Sequence, residues 1–295
     1  MKRTILSLVI VTFFNTIVAQ DLEDILEQET PKVKEYASAT FKGTRILNGH
    51  SIENRTGGVT EFVISHRFGR VNLGIDELFG LDQSNIRFAL EKSVTDDLMV
   101  GFGRSSYEKT YDGFVKYKLL KQRIDKNVMP FSVAIFGSAA YRSLNDFVPG
   151  NELTFSQRLT YVSQLLIARK FSSSFSFQIM PSYIYRNSVK TFEDPHGIFA
   201  IGFGSRIKFS KRVALNVEYH YTTNPLQYID TTNSLGLGVE IETGGHVFQL
   251  ILSNSITMIE KSFITESTDD FFNGDIHLGF NISRAFHPRE KKHKK

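Results

Sequence analysis

A set of ionisable residues recurs at alternate positions of short apolar-polar segments. The acids are Glu61, Glu91, Glu218, Glu240 and Glu242. The bases are Arg67, Arg87, Lys116, Lys118, Arg158 and Arg206, with His220 and His277 beside them. Acids and bases collected on one enclosed face can line a watery passage for small solutes. The same groups can lock such a passage shut through ion pairs. Hydrolytic chemistry is the rival use, because histidine and serine are both available. It needs an acidic third group and an oxyanion site as well. No glycine-flanked nucleophile elbow surrounds any serine, and the histidines are scattered. A non-enzymatic protein is therefore expected, with no catalytic residue assigned.

Metal and cofactor chemistry is equally thin. Asp194 and His196 share one connection, and Glu266, Asp269 and Asp270 share another. Neither has zinc or EF-hand spacing, so solvated loop carboxylates are expected there. Gly101-Phe102-Gly103 lies inside a strand pattern, where glycine means packing or space and not a phosphate cradle. The chain has no cysteine, which excludes disulfides, thiolate sites and a cysteine-borne lipid anchor. No metal and no cofactor is expected.

The elements that carry these groups are strands. In residues 213–221, Val213, Leu215, Val217, Tyr219 and Tyr221 fall on one face. Ala214, Asn216, Glu218 and His220 fall on the other. A period of two sorts these residues, and a period of 3.6 does not. The same sorting recurs about twelve times between Val59 and Phe286. Connections near 93–97, 170–174, 209–212 and 243–245 are tight. Those near 69–84, 106–112, 143–152, 186–196, 222–232 and 256–272 are longer, and 121–129 breaks the parity. Long and short connections in turn are the mark of a transmembrane barrel. The reading is an all-β, antiparallel up-and-down transmembrane β-barrel of about twelve strands over residues 58–286, in the cell outer membrane. Both termini are expected in the periplasm. A periplasmic β-sandwich would alternate too, but it would not need this parity. Tyr183, Tyr185, Tyr219 and Tyr221 stand near strand ends, where an interfacial girdle is expected.

The flanks read differently. Residues 1–19 have a basic start, a short apolar core and a small residue at Ala19, which describes a signal peptide. Residues 20–57 form a separate segment. Leu22, Ile25 and Leu26 fall at helical spacing before Pro31, and 41–52 is irregular. This segment is expected either to plug the barrel or to hang as a leader. Inward glycines at Gly101, Gly103, Gly202, Gly204, Gly236 and Gly238 leave space for a solute or for that plug. Residues 287–295 form a basic tail, whose five cations and one acid equal the whole net charge of +4. A basic tail on a nearly neutral body does not suggest a nucleic-acid surface. The expected partners are outer-membrane lipid, the barrel-insertion machinery and a periplasmic partner for the tail. Lys121, Arg123 and Lys126 lie on the same side as the tail and are candidates for headgroup or partner contact.

Several stretches carry a family resemblance: residues 41–51 (FKGTRILNGHS), 65–70 (SHRFGR), 79–83 (FGLDQ), 97–106 (DLMVGFGRSS) and 111–113 (YDG). They resemble a Bacteroidota outer-membrane β-barrel family catalogued only as a domain of unknown function. The resemblance runs from about Thr40 to Phe286. It implies a signal-bearing outer-membrane barrel and brings no activity and no catalytic residues. The functional expectation is a narrow or gated pore for small solutes. A closed barrel that scaffolds other envelope proteins is the alternative, and an outer-membrane hydrolase stands behind both.

Overall fold

The structure is a computed structural model that describes residues 34–125, 129–144, 152–243 and 246–288. The signal peptide, the helical spacing of residues 21–29, Lys126 and residues 289–295 of the basic tail lie outside the described residues. The chain divides into Met1–Glu35 and Tyr36–Lys295, and the strands all belong to the second unit.

Alternating residues build twelve strands: β1 (Thr60–Arg70), β2 (Ser84–Ser93), β3 (Leu98–Ser105), β4 (Thr110–Leu120), β5 (Ser132–Arg142), β6 (Leu159–Lys170), β7 (Phe175–Arg186), β8 (Gly197–Lys208), β9 (Val213–Thr222), β10 (Ser234–Thr243), β11 (His246–Ser253) and β12 (His277–Phe286). Each pairs antiparallel with its neighbours in sequence, and β1 pairs with β12 to close the barrel. Closure leaves no sheet edge, so every strand finds backbone partners without water.

The pleat explains which side chains face outward. In β2, Arg87, Ala89 and Glu91 are buried, while Phe88 and Leu90 between them are exposed at 46% and 57%. Phe102, Val115, Phe199 and Leu250 are exposed in the same way on other strands. An apolar band on the outside and polar groups on the inside invert the plan of a water-soluble protein and suit a bilayer. Among the described residues no helix is long and apolar enough to cross a membrane, which says nothing about strands. Tyr183, Tyr185 and Tyr221 stand outward and exposed near one rim.

One end of the barrel carries the connections 94–97, 171–174 and 209–212, plus the longer 121–131. The start of β1 and the end of β12 lie at this short-turn end. The other end carries 71–83, 106–109, 143–158, 187–196, 223–233 and 254–276. Pro181 has no N–H to give its neighbour. The β6–β7 ladder skips the pairs that Leu165 and Leu166 would make, between Gln164↔Ser182 and Ile167↔Ile179. A lipid-facing groove lies over this spot, with Gly137, Ser163 and Pro181 among its lining.

The hydrophobic core is inside the barrel, and much of it is not strand. Phe41, Ile46, Leu47 and Ile52 pack with Phe114, Phe136, Met180, Leu166, Phe263 and Ile264. The first four come from the segment before β1. The last two come from a short helix, α1 (Glu260–Thr265), in the β11–β12 connection.

Candidate functional site

Residues 40–52 enter the lumen from the short-turn end and fold as a tight hairpin. The Ile46 amide donates to the Gly49 carbonyl at 2.9 Å, and the Ser51 amide donates to the Thr44 carbonyl at 2.9 Å. At its tip three successive amides converge. Those of Leu47, Asn48 and Gly49 donate to the Glu218 carboxylate at 2.9, 3.2 and 3.0 Å. Successive N–H groups pointing one way form an anion-binding concavity, and the protein fills it with its own carboxylate.

The rest of the hairpin backbone is gripped by wall side chains. Gln249 and Asn216 both donate to the Ile46 carbonyl, at 2.7 and 3.3 Å. Asn281 donates to the Leu47 carbonyl at 2.7 Å. Gln178 donates to the His50 carbonyl at 2.8 Å and accepts from the Ile52 amide at 2.7 Å. The Lys116 ammonium donates to the carbonyls of Ser51 and Glu53 at 2.9 and 2.6 Å. Arg67 donates to the Asn48 side-chain oxygen at 2.7 Å. These partners come from β1, β4, β7, β9, β11 and β12. Glycines make the room: a Cβ at Gly204 would strike Ile46, and one at Gly238 would strike Leu47.

A second segment enters from the opposite end. Residues 254–267 are almost wholly buried. The ring of Phe263 on α1 meets His220 edge-on at 5.0 Å, and Thr222 donates to the Ile264 carbonyl at 2.9 Å. Arg186 donates to Thr265 and Glu266 at 2.5 and 2.7 Å. Lys261 donates to Glu108 at 2.7 Å. Burial alone would raise the Glu266 carboxyl, but Lys261 and Arg186 overcome it and hold it down at about 2.

The two segments meet near the middle of the lumen. Arg45 binds Glu91 at 3.2 Å and lies 3.6 Å from Glu260. His50 packs tilted against both Phe114 and Phe136, with ring centroids 4.3 and 4.5 Å away, and lies 3.7 Å from Glu260. Neither nitrogen of His50 has a hydrogen-bond partner, and neither does one oxygen of Glu260. Desolvation pushes the Glu260 carboxyl up to about 7, with Arg45 opposing it. A void beside the hairpin measures about 20 Å³, room for about one water.

Most of the sequence-predicted residues find partners inside the lumen, on nearby strands or on the inserted segments. Glu61 pairs with Arg55 and accepts from Thr44. Glu91 holds Arg45 and Thr44. Arg87 pairs with Asp112 at 2.5 Å, and Arg206 with Glu240 at 3.0 Å. Lys118 lies 3.5 Å from Glu53, and Glu242 lies 2.6 Å from Lys42. Arg67, Lys116 and Glu218 hold the hairpin. His220 is buried against Phe263, without a hydrogen-bond partner. His277 bonds the Phe68 carbonyl and Asp269 at 2.8 and 2.7 Å. Arg158 departs from the expectation. It sits in a turn just before β6 and donates to the Leu153 and Leu144 carbonyls at the long-loop rim.

Other expectations need correction. The carboxylates read as solvated are structural, since Asp194 is buried and accepts from the Gln227 and Tyr228 amides, and Glu266 anchors α1. Among the described residues of the 121–131 connection, Lys121 pairs with Asp97 and Arg123 with Asp125. Sequence reasoning that favoured charge passed over the neutral amides Gln178, Asn216, Gln249 and Asn281. Their inward parity was the available signal. It also passed over Arg45, Glu260 and Lys261, which lie outside any strand and have no periodicity to mark them.

Residues 41–286 match the model of a family described as a membrane-bound beta barrel domain, DUF5777. The chain belongs to this family. None of the curated proteins matches it. Among solved structures, this membrane-bound barrel is similar to the KdgM porin at 9% identity and a TM-score of 0.45, covering 77% of this chain and 99% of that one. It is similar to the CymD monoaromatic hydrocarbon channel at 10% identity and a TM-score of 0.39, with 80% and 90% covered. Salmonella typhi OmpF matches at 7% identity and a TM-score of 0.38, with 77% and 97% covered.

Proposed function

We propose that the protein is a gated pore of the outer membrane for small polar solutes, closed at rest by the hairpin of residues 40–52 and by the α1 loop. One observation carries this reading: side chains from five strands hold the hairpin by hydrogen bonds to its backbone, and Arg67 of a sixth holds the Asn48 side chain. A barrel that needed only to be filled could be filled by the side chains of its own wall, as small barrels are. A polar wall matched to a separate segment can exchange that segment for water when it withdraws. The short-turn end, where the hairpin enters, faces the periplasm on this reading.

The test is planar-bilayer conductance of the refolded barrel. The full chain is expected to stay mostly silent. A variant lacking residues 40–52 and with 256–267 replaced by a short linker is expected to conduct steadily. Silence from that variant, with the barrel folded by heat-dependent gel mobility, would overturn the pore.

A closed scaffold is the second reading. It is favoured by exposed apolar side chains on the long-loop end, where Ile75 is 69% and Phe272 is 87% exposed. A periplasmic partner for the basic tail belongs to this reading. Co-purification from native membranes, with and without residues 288–295, tests it.

A further inference from the structure

The long-loop mouth holds a cavity of about 680 Å³, within the usual range for a small-molecule site. Its charge is one-sided. Arg142, Arg158, Arg186, Lys190 and Lys261 line it against only Glu108 and Glu266. The two carboxylates are engaged on one side of the cavity. Glu108 lies 2.7 Å from Lys261 and 2.8 Å from Arg142, and Glu266 lies 2.7 Å from Arg186.

Two other lining cations are differently placed. Arg158 donates from Nε and Nη1 to two carbonyls, and Lys190 stands over the Tyr228 ring at 4.4 Å. Among the described residues no ion pair joins either one to a carboxylate. Arg186, nearly buried at the base of the cavity, keeps an Nε with no partner. Leu226 and Tyr228 add apolar surface for a carbon skeleton. Cations gathered in a concave, partly desolvated site attract an anion more strongly than the same charges spread over a surface.

We propose that this cavity binds a small solute bearing an oxyanion, a carboxylate or a phosphate. Its floor is the α1 loop itself, because Lys261 and Glu266 belong to it. A bound anion competes with Glu266 for Arg186 and Lys261, and so loosens the loop that closes the lumen. This consequence rests on the gated-pore reading; the binding itself does not.

Binding is therefore measured without conductance, by titration calorimetry on the full chain in detergent. The probes are inorganic phosphate, glucuronate and neutral glucose. At least one anion is expected to bind and glucose is not, and which anion binds identifies the source of the oxyanion. Raising salt from about 50 to about 500 mM is expected to weaken binding through screening. The double variant R158Q/K190Q is expected to weaken it about tenfold or more, with thermal unfolding unchanged. The proposal is overturned if neither anion binds, if glucose binds equally, or if the folded double variant binds as the parent does. Binding without conductance in the doubly unplugged variant removes the pore and keeps the site. Conductance without binding does the reverse.

Discussion

Replacing Glu218 tests whether the hairpin is held by its tip. Glu218→Ala deletes the acceptor for three buried amides, those of Leu47, Asn48 and Gly49. A buried N–H left unpaired costs about 1–3 kcal/mol. Water entering the vacated space recovers part of that, so a net loss of about 3–5 kcal/mol of docking is expected. Each 1.4 kcal/mol is about tenfold, so the amides of residues 47–49 should exchange hydrogen at least a hundredfold faster. Glu218→Gln separates acceptor from charge. One oxygen of Glu218 accepts from all three amides, at 2.9, 3.2 and 3.1 Å. A carboxamide oxygen in that place keeps the contacts and loses the charge, so roughly 1 kcal/mol and less than about tenfold are expected. The assay is hydrogen exchange by mass spectrometry on peptides covering 41–56, with strand peptides as the folding control. Exchange in the folded Ala variant within twofold of the parent would refute the tip contact. Equal effects of Ala and Gln would show that charge, not acceptor geometry, holds the tip.

Gly204→Leu or Gly238→Leu places a side chain where Ile46 or Leu47 now sits; faster exchange at 44–51 with intact strands is expected, and unchanged exchange would contradict the packing. Glu266→Gln is expected to cost about 3 kcal/mol of loop docking at neutral pH, read as exchange at 256–267. Its carboxyl is held at about 2 against an ordinary 4.5, so its contribution is full above about 4.5 and lost as pH falls through about 2. Glu260 acts in the opposite sense. Its docked carboxyl sits at about 7 against an ordinary 4.5, so the docked state holds the proton more tightly. That contribution is full below about 4.5 and lost as pH rises through about 7, at most about 3 kcal/mol. Openings should therefore become more frequent as pH rises from about 6 to about 8, and Glu260→Gln should flatten the trend; a steep trend in that variant would point to another group.

The outward and inward faces were legible because a strand alternates with period two and each barrel strand has one apolar side. Val217 and Glu218 could be assigned to opposite faces with no knowledge of their neighbours. The partners of Glu218 were not legible. They lie about 170 residues away in sequence, and a hairpin gripped by wall side chains leaves no periodic trace. The same holds for the β11–β12 connection, read as an external loop. Its Phe263 and Ile264 look like any loop residues until His220 and Thr222 are placed beside them. Arg158 shows the limit of parity: it continues the alternation of β6 by one residue beyond the strand, in a turn, and so lies at the rim.

By itself the sequence determined the barrel, its strand count and the polarity of its two faces, because these follow from local alternation and from which connections are short. Only the tertiary structure decided what the inward charges do. Ion pairs and amide contacts depend on which strands and inserted segments face each other across the lumen, and that is set by closure of the whole barrel.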